Sequence, residues 1–408
     1  MMKRRFEKLV SVIATCALTM SILVGCGAGN DAANAPADTA AAAETKEAEA
    51  TETTETADTG KAIKVGVLVA DVSGEEAQGF RSYYENYIAK NYNVEFNYTD
   101  ALASAEEEKS AIEKFVSQGC DAIISLSSSD RAMQLETCEE YGVYYAIASG
   151  VLDDEQYETY KGNEHFVCQI GPSNETEFIA GKEMGEYFKN QGVKSVAMYG
   201  AFIPNPMHVY RAAGVLVGLG DTYGGTDDMG AVVGQIFGDQ GIDVTKVEGD
   251  VELVAYLQGY GDTTTDELNA AIQKNPEAFI SVGMATTFFT QPLNEADIAF
   301  SDIDSFTSMN GDAMKNGKLG YLAGKYSSSI GPVFALVNNA VNGNVIRDAE
   351  GNAVSLSQNY LVATDGESFD KYFVSDNGDT PIYDKAALDS IIGASVTYDD
   401  VVNLVSSK

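Results

Sequence analysis

The sequence predicts an α/β protein built from two doubly wound parallel-sheet domains. Apolar runs of strand length, such as residues 64–70 (KVGVLVA), alternate with segments that carry apolar residues at helical spacing. Strands that are apolar throughout are typical of a parallel sheet covered on both faces. The alternation restarts after Gly171, and residues 61–408 have the length of about two domains.

The first half begins with a strand and then alternates helix and strand. The segment 78–90 illustrates the helical pattern, because Phe80, Tyr84 and Ile88 recur every four residues and share one face. The predicted strands are 64–70, 93–98, 121–126, 143–148 and 166–170, and the predicted helices are 78–90, 105–118 and 131–141.

The second half repeats this order after Gly171. The segment 221–249 is rich in glycine, and we expect a loop and a helix there. The predicted helices are 175–190, 208–218 and 265–274, and the predicted strands are 194–199, 251–255, 278–282 and 298–303.

Residues that follow the predicted strands, most of them polar, are the candidate ligand contacts. Ligands of doubly wound sheets bind beyond the carboxyl ends of the strands, and two such rims that face each other enclose a cleft. For Asp71 the alternative is a solvated turn, and for Asp130 it is a helix N-cap. The candidates are Asp71, Glu75, Ser128, Asp130 and Ser149 in the first half, and Phe202, Thr286 and Thr287 in the second.

The first 26 residues have the pattern of an export signal. Basic residues at 3–5 precede an apolar run at 9–24, which is shorter than the roughly 20 residues of a stable membrane span. Residues 23–26 (LVGC) resemble the bacterial lipoprotein box, in which the cysteine, here Cys26, is alkylated by a lipid and becomes the first residue. An ordinary signal peptide with a chance cysteine is the alternative. We therefore expect a signal peptide over 1–25 and lipidation at Cys26.

The composition restricts the partners of the exported chain. Residues 26–60 are small and acidic and predict a disordered spacer. The whole chain has 26 basic and 61 acidic residues, a net charge of −35; without residues 1–25, which hold four basic residues and one acidic, it is −38. This charge argues against nucleic acid and anionic lipid surfaces as partners. Contact with a membrane is expected through the lipid anchor alone.

No pattern of a metal or catalytic site is present in the sequence. Cys120, Cys138 and Cys168 lack metal-ligand spacing, and they are interpreted as buried free thiols, with a Cys120–Cys138 pair as the alternative. The only histidines, His165 and His208, are far apart in the chain. No nucleophile elbow, phosphate-binding loop or zinc-protease motif occurs. We therefore expect no enzyme activity, no cofactor and no metal.

Several segments resemble the type I periplasmic-binding-protein family, whose members are the extracellular receptors of ABC importers, including a sugar-binding branch. Residues 118–124 (QGCDAII) are similar to the family's entry to the third strand, and Arg211 opens the family's Arg-x-x-Gly helix start. Asp304 resembles the aspartate that follows the strand leading back to domain one. Lys325, six residues before Gly331, stands where the family commonly has glutamine. The resemblance implies that Arg211, Asp304 and Lys325 contact the ligand, with a surface ion pair as the alternative for Arg211.

The sequence also departs from the sugar-binding branch. Residues 283–287 (GMATT) lack the branch's carboxylate, and the chain has no tryptophan to stack on a sugar ring. Phe80, Phe202, Phe288 or Tyr326 would have to supply the apolar face. A sugar is therefore the leading ligand class, and a purine nucleoside is the competitor.

The resemblance implies a lipid-anchored extracytoplasmic solute-binding protein that delivers its ligand to an ABC permease by hinge closure. A clamshell that presents its ligand to a membrane signalling receptor is the alternative, and it differs only in the partner. A three-strand hinge is expected near 171–174, 305–310 and 343–354. Domain one is then expected at 61–171 plus 308–345, and domain two at 172–307 plus 346–408.

Overall fold

Two six-stranded sheets organise the part of the chain that the structure describes. The computed structural model describes residues 61–127, 129–200, 203, 205–259, 261, 263–377 and 380–408. The predictions for the signal peptide, Cys26, the spacer, Ser128 and Phe202 lie outside these residues. The segment Asp58–Lys408 clusters as one compact unit, and within it each sheet and its helices form a lobe.

The strands alternate with helices along most of the described chain. They are β1 (Ile63–Leu68), β2 (Val94–Tyr98), β3 (Ala122–Ser125), β4 (Tyr144–Ala148), β5 (Phe166–Ile170), β6 (Ser195–Tyr199), β7 (Thr222–Tyr223), β8 (Val247–Glu248), β9 (Glu252–Leu257), β10 (Ala278–Ser281), β11 (Ala299–Ser305), β12 (Leu319–Lys325), β13 (Val354–Leu356) and β14 (Leu361–Ala363).

A π-helical turn, Tyr83–Ile88, joins the first two helices, and 3₁₀ turns occupy Val244–Lys246 and Ser327–Ile330. The helices are α1 (Glu75–Ser82), α2 (Ala89–Asn91), α3 (Ala105–Ser117), α4 (Arg131–Tyr141), α5 (Asp154–Tyr160), α6 (Asn174–Asn190), α7 (Pro206–Leu219), α8 (Met229–Asp239), α9 (Thr264–Ile272), α10 (Ala285–Glu295), α11 (Ser308–Lys315), α12 (Gly331–Val341), α13 (Gly366–Asn377), α14 (Lys385–Asp389) and α15 (Tyr398–Ser406).

The first lobe contains the sheet β13-β5-β4-β3-β1-β2, in which every neighbouring pair is parallel. The second lobe contains the sheet β14-β12-β11-β10-β6-β9, in which only β14 is antiparallel to its neighbour. Apolar clusters cover both faces of each sheet. The predicted α/β class with two doubly wound sheets is confirmed.

Helices α6 and α7 pack unusually closely in the second lobe. A Cβ atom at Gly181 would lie 2.0 Å from the carbonyl oxygen of Arg211, and one at Gly214 would lie 2.1 Å from that of Phe178. Neither distance is possible for a real side chain, so these glycines allow the two backbones to touch. The contact fixes the start of α6 against the middle of α7, where two charged residues of the site lie.

Four segments join the lobes, where a three-strand hinge was expected. The chain enters the second lobe after β5 and after β13, and it returns to the first after β12 and after α13. The expected crossings near 305–310 and 343–354 are wrong, because β11 and β12 pair in one sheet and α12 and β13 both pack in the first lobe. The expected division is therefore wrong for α11 and β12, which belong to the second lobe. It is also wrong for β13, α14 and α15, which pack in the first lobe. Apolar periodicity identifies a strand but not the sheet it joins, since pairing is non-local.

The glycine-rich segment 221–249 contains α8, flanked by β7 and β8, which pair antiparallel with each other. Cys120, Cys138 and Cys168 are buried free thiols, so the interpretation as free thiols is confirmed and the Cys120–Cys138 pair is wrong. Among the described helices, none combines the length and apolar character needed to cross a bilayer.

Candidate binding cleft

Side chains from both lobes meet around Lys325, at the carboxyl end of β12. The Lys325 Nζ donates to the Ser149 Oγ of the first lobe at 2.9 Å. It also lies 3.2 Å from the Glu76 Oε1 of α1, in the same lobe. Ser305, at the end of β11, donates its hydroxyl to the same Glu76 oxygen at 3.2 Å. We call Lys325, Glu76, Ser149 and Ser305 the Lys325 cluster, and it spans the two lobes.

Aromatic rings flank the lysine ammonium. The Lys325 Nζ lies 5.9 Å from the ring centre of Phe80 and 5.8 Å from that of Tyr360, distances at which a cation is attracted to a ring face. Phe80 follows Glu76 by four residues on α1, so both side chains project from the same face of the helix. Of the predicted site residues, the structure thus brings together Phe80, Ser149 and Lys325.

Arg211 lies in a second cluster, inside the second lobe. Its Nε and Nη2 donate to the two Glu177 carboxylate oxygens at 2.6 and 3.3 Å, and its Nη2 also donates to the Tyr360 hydroxyl at 2.6 Å. The Arg211 and Glu177 side chains are only 5% and 4% exposed, so the alternative of a surface ion pair is wrong. Burial lowers the pKa of Arg211, but Glu177 and Tyr360 raise it by more, and the guanidinium stays charged. We call Arg211, Glu177 and Tyr360 the Arg211 cluster.

Two acidic residues alternate on β11 and therefore share one face of the strand. Asp302 accepts from the Thr286 N–H at 2.9 Å, and burial raises its pKa to about 6. Asp304 accepts from the Ser305 N–H at 2.7 Å. Burial, and then the nearby carboxylates of Asp302 and Glu76, raise the pKa of Asp304 well above its usual range. Asp304 thus belongs to the cleft electrostatically, close to the Lys325 cluster.

A buried carboxylate shapes the loop that follows β3. Glu108 of α3 is fully buried and accepts from the backbone N–H groups of Ser129 and Asp130 at 3.2 and 3.1 Å. It also accepts from the Ser127 hydroxyl and from the Gln134 amide. Because this carboxylate meets its donors inside the lobe, it holds the rim loop in place and does not face a ligand.

Two predicted contacts have local structural roles. Asp71 accepts from the backbone N–H groups of Ser73 and Gly74 at 2.8 Å each. These hydrogen bonds are those of a turn, which was the alternative to a ligand contact. Burial raises the pKa of Asp71, but these hydrogen bonds lower it by more. Asp130 is the N-cap of α4 and accepts from the Met133 N–H at 3.0 Å. This N-cap role was the alternative to a ligand contact.

The remaining predicted ligand contacts differ in their exposure and packing. Glu75 and Thr287 are exposed, and Thr286 is buried in the first turn of α10, where a rim loop was expected. The apolar run 278–282 predicts the strand but not the helix that follows it. Tyr326 packs against Phe306, with ring centres 5.9 Å apart, in the second lobe. Contact of these residues with a ligand stays a prediction.

Four residues of the two clusters were not predicted from the sequence. They are Glu76, Glu177, Ser305 and Tyr360. Only for Glu76 does the sequence contain a usable signal. Glu76 precedes the buried Phe80 by four residues, so the two lie on the same face of a helix, and Glu75 does not have this spacing. The other three depend on which strands and helices are neighbours, which local pattern does not show. Within the described residues, no group of histidine, cysteine or acidic side chains could hold a metal ion.

No family model and no curated protein matches this sequence, but solved structures do. An ABC transporter solute binding protein from Bacillus halodurans C-125, with bound myo-inositol, has a TM-score of 0.56 and 16% identity, covering 77% of this chain and 98% of that one. The periplasmic binding protein of the arabinose ABC transporter from Shewanella sp. ANA-3, bound to L-arabinofuranose, has a TM-score of 0.55 and 16% identity, covering 80% and 98%.

A third structure is an ABC transporter periplasmic solute binding protein from Actinobacillus succinogenes 130z, with bound D-allose. It has a TM-score of 0.57 and 15% identity, and the match covers 76% of this chain and 100% of that one. At such identities the likeness is one of fold. This chain has the fold of the type I periplasmic binding proteins.

Proposed function

We propose that this protein is an extracytoplasmic solute-binding protein of an ABC importer, and that it binds a small polar solute, with sugars as the leading class, between its lobes. The observation that carries the proposal is the Lys325 cluster. It joins polar side chains from the carboxyl edges of both sheets, which is where ligands of doubly wound folds bind.

The chemistry of the cleft supports a hydroxyl-rich ligand. A hydroxyl group both donates and accepts hydrogen bonds, and the cleft offers donors on Lys325 and acceptors on Glu76 and Asp304. Phe80 and Tyr360 add apolar ring faces beside the polar groups. The three similar structures described above were solved with sugars or a cyclic polyol bound, which supports the same class.

Hinge closure is the mechanism that suits this architecture. The lobes are joined by the segments after β5, β12, β13 and α13, and small changes in these segments would open or close the cleft. The ligand would dock on one rim, and closure would bring the other rim over it. A transporter that recognises the closed form would then discriminate the loaded protein from the empty one.

A screen of ligand-dependent stability tests this function. The purified full chain is heated with sugars, purine nucleosides and amino acids, each in turn. A ligand present at a hundred times its dissociation constant stabilises the folded state by about 2.7 kcal/mol. Stabilisation by a sugar, together with a smaller radius of gyration in X-ray scattering, is expected. Stabilisation by a nucleoside alone would replace the ligand class, and an unchanged radius at saturation would contradict the closure mechanism.

The proposal includes a lipid anchor at Cys26. The substitution Cys26→Ser should release the chain from the membrane fraction, because the anchor is covalent and a single hydroxyl cannot accept the thioether-linked lipid. Cys16→Ser, within the apolar run of the signal, is the matched control and should leave the protein attached. A Cys26→Ser protein that remains with the membranes would contradict the lipoprotein assignment.

The importer and the signalling alternative differ in the partner. Genes for a permease and an ATPase next to the gene for this protein would favour import. A receptor kinase or chemoreceptor without a permease would favour the sensor.

A further inference from the structure

Arg131 is a cation at the cleft that has no carboxylate partner among the described residues. Its Nε donates to the Ser127 carbonyl at 3.3 Å, and its Nη1 donates to the Val151 carbonyl at 2.6 Å. In the part of the chain that the structure describes, no acidic oxygen lies within 4.0 Å of its guanidinium. A guanidinium has five N–H groups. Neither of the two on the Arg131 Nη2 donates to a described residue.

The surroundings of this guanidinium place it beside the Lys325 cluster. A Cβ atom at Gly150 would lie 2.6 Å from the Arg131 Nη2, so the absence of a side chain at position 150 leaves the space that the guanidinium occupies. Gly150 directly follows Ser149, which accepts the hydrogen bond from Lys325. Burial lowers the pKa of Arg131, and Glu177 of the second lobe is among the groups that oppose this. Arg131 therefore lies on the first-lobe side of the cleft, within electrostatic range of the second.

Arg347 is a second arginine that donates to backbone carbonyls, and its hydrogen bonds can be compared with those of Arg131. It also binds backbone carbonyls without an ion pair, but its Nη2 donates to both Asn163 and Glu164 at 3.0 and 2.8 Å, and its Nη1 donates to Phe166 at 2.7 Å. Phe166 begins β5, so Arg347 lies at the sheet edge opposite the cleft. Both Nη atoms of Arg347 donate to described carbonyls, whereas the Nη2 of Arg131 donates to none.

The acceptors near Arg131 are already in use. The carboxylates that act electrostatically on Arg131 are those of Glu108 and Glu177. Glu108 accepts from donors of its own lobe, and Glu177 accepts from Arg211. Arg131 is partly buried, and leaving a guanidinium unpaired becomes costlier as it is removed from water. In a chain with 61 acidic residues a carboxylate at this position would be easy to supply. Its absence points to an acceptor that arrives with the ligand.

We propose that the solute is an acidic sugar, whose carboxylate or phosphate oxygens accept from the Nη2 of Arg131 while its hydroxyl groups meet the Lys325 cluster. This inference rests on the proposed solute-binding function. Hydrogen bonds between a guanidinium and an oxyanion are shorter and stronger than those to a neutral hydroxyl. Arg131 is then the residue that distinguishes an acidic solute from its neutral counterpart.

Calorimetry on the full chain with matched sugars tests the inference. The probes are D-glucose, D-glucuronate and D-glucose 6-phosphate, and the pair D-galactose and D-galacturonate. The acidic member of a set should bind about ten- to a hundredfold more tightly than the neutral one, the range of one charge-assisted hydrogen bond. Binding of the uronate or of the phosphate ester identifies which oxyanion the site takes.

Variants of Arg131 assign the preference to this side chain. Arg131→Met should reduce the affinity for the acidic sugar to that for the neutral one. Arg131→Lys keeps the charge but loses the planar fork, so it should keep part of the preference, and it serves if the methionine variant does not fold. Arg347→Met is the matched control, and it should leave the preference unchanged.

The outcomes separate this inference from the proposed function. Equal or tighter binding of the neutral sugars, or an acid preference that survives in Arg131→Met, overturns the role of Arg131 and leaves a sugar-binding protein. Failure of every sugar to bind, while a solute of another class does, overturns this inference and replaces the ligand class of the proposed function.

Discussion

Two cation–carboxylate pairs flank the ring of Tyr360, and they connect different parts of the molecule. Arg211 and Glu177 lie 2.6 Å apart within the second lobe, and both are almost fully buried. Lys325 and Glu76 lie 3.2 Å apart but belong to different lobes, and the Glu76 side chain is 34% exposed. The first pair ties α6 to α7, whereas the second ties one lobe to the other. We therefore expect the Arg211 pair to govern folding and the Lys325 pair to govern the position of the lobes.

Removal of the Glu177 charge should have the largest effect on stability. Glu177→Gln leaves the Arg211 guanidinium buried without its counter-charge, which typically costs about 3–5 kcal/mol of unfolding free energy. Denaturant titration measures this loss. Glu186→Gln on the same helix, whose exposed carboxylate lies 3.8 Å from Lys182, is the control and should cost under about 1 kcal/mol. Similar losses for the two variants would contradict the folding role of the Arg211 cluster.

Asp376, which has no cation partner in the described part of the chain, extends the comparison. Burial raises the pKa of Asp376 from 3.8 to about 6, against hydrogen bonds donated by Ser327. The folded chain therefore holds this proton more tightly than the unfolded chain. Its contribution to stability is present below about pH 4 and is lost as the pH rises through 6.

Asp376→Asn should remove that pH dependence, because asparagine reproduces the hydrogen bonds of the neutral acid. The free energy of unfolding should fall about 2 kcal/mol less between pH 4 and 7 than in the unmodified chain. Asp370→Asn, exposed on the same helix, is the control. A variant with the same pH slope as the unmodified chain would rule out Asp376 as the titrating group.

Asp130 tests whether a charge at the rim acts only on its own helix. Asp130→Ala removes the N-cap of α4 and should cost about 1 kcal/mol. Ser104→Ala removes the N-cap of α3, where Ser104 accepts from the Glu107 N–H, and should cost a similar amount. We expect neither to alter the affinity for the sugar that binds most tightly. A loss of affinity confined to Asp130→Ala would restore Asp130 as a ligand contact.

Lys325→Gln should have the smallest effect on folding, under about 1 kcal/mol, because it breaks a partly exposed pair between lobes. It should instead open the ligand-free protein, which X-ray scattering would detect as a larger radius of gyration. Lys315→Gln, at an exposed pair with Asp370 within the second lobe, should leave the radius unchanged. If Lys325→Gln destabilises the chain as strongly as Glu177→Gln, the distinction between the two pairs is lost.

The sequence predicted many individual elements well because their signals are local. The helix predicted at 131–141 matches α4, and the strand predicted at 166–170 matches β5. The three cysteines without metal spacing are free and buried, as interpreted. Site residues were predicted less well. Lys325, Ser149 and Phe80 meet in the cleft, but Glu75 was chosen where its neighbour Glu76 faces Lys325. Strand ends indicate an edge of the sheet, and only helix phase decides which side chain turns inward.

The order of strands and helices, the acidic composition and the candidate lipidation site at Cys26 were determined by the sequence alone, since each depends on residues adjacent in the chain. The tertiary structure decided that β12 joins the second sheet and that β13 returns to the first. It also decided that Arg211 meets Glu177, 34 residues away, while Arg131 meets no carboxylate among the described residues. Pairing of strands and of charges depends on distances across the folded molecule, which local periodicity does not encode.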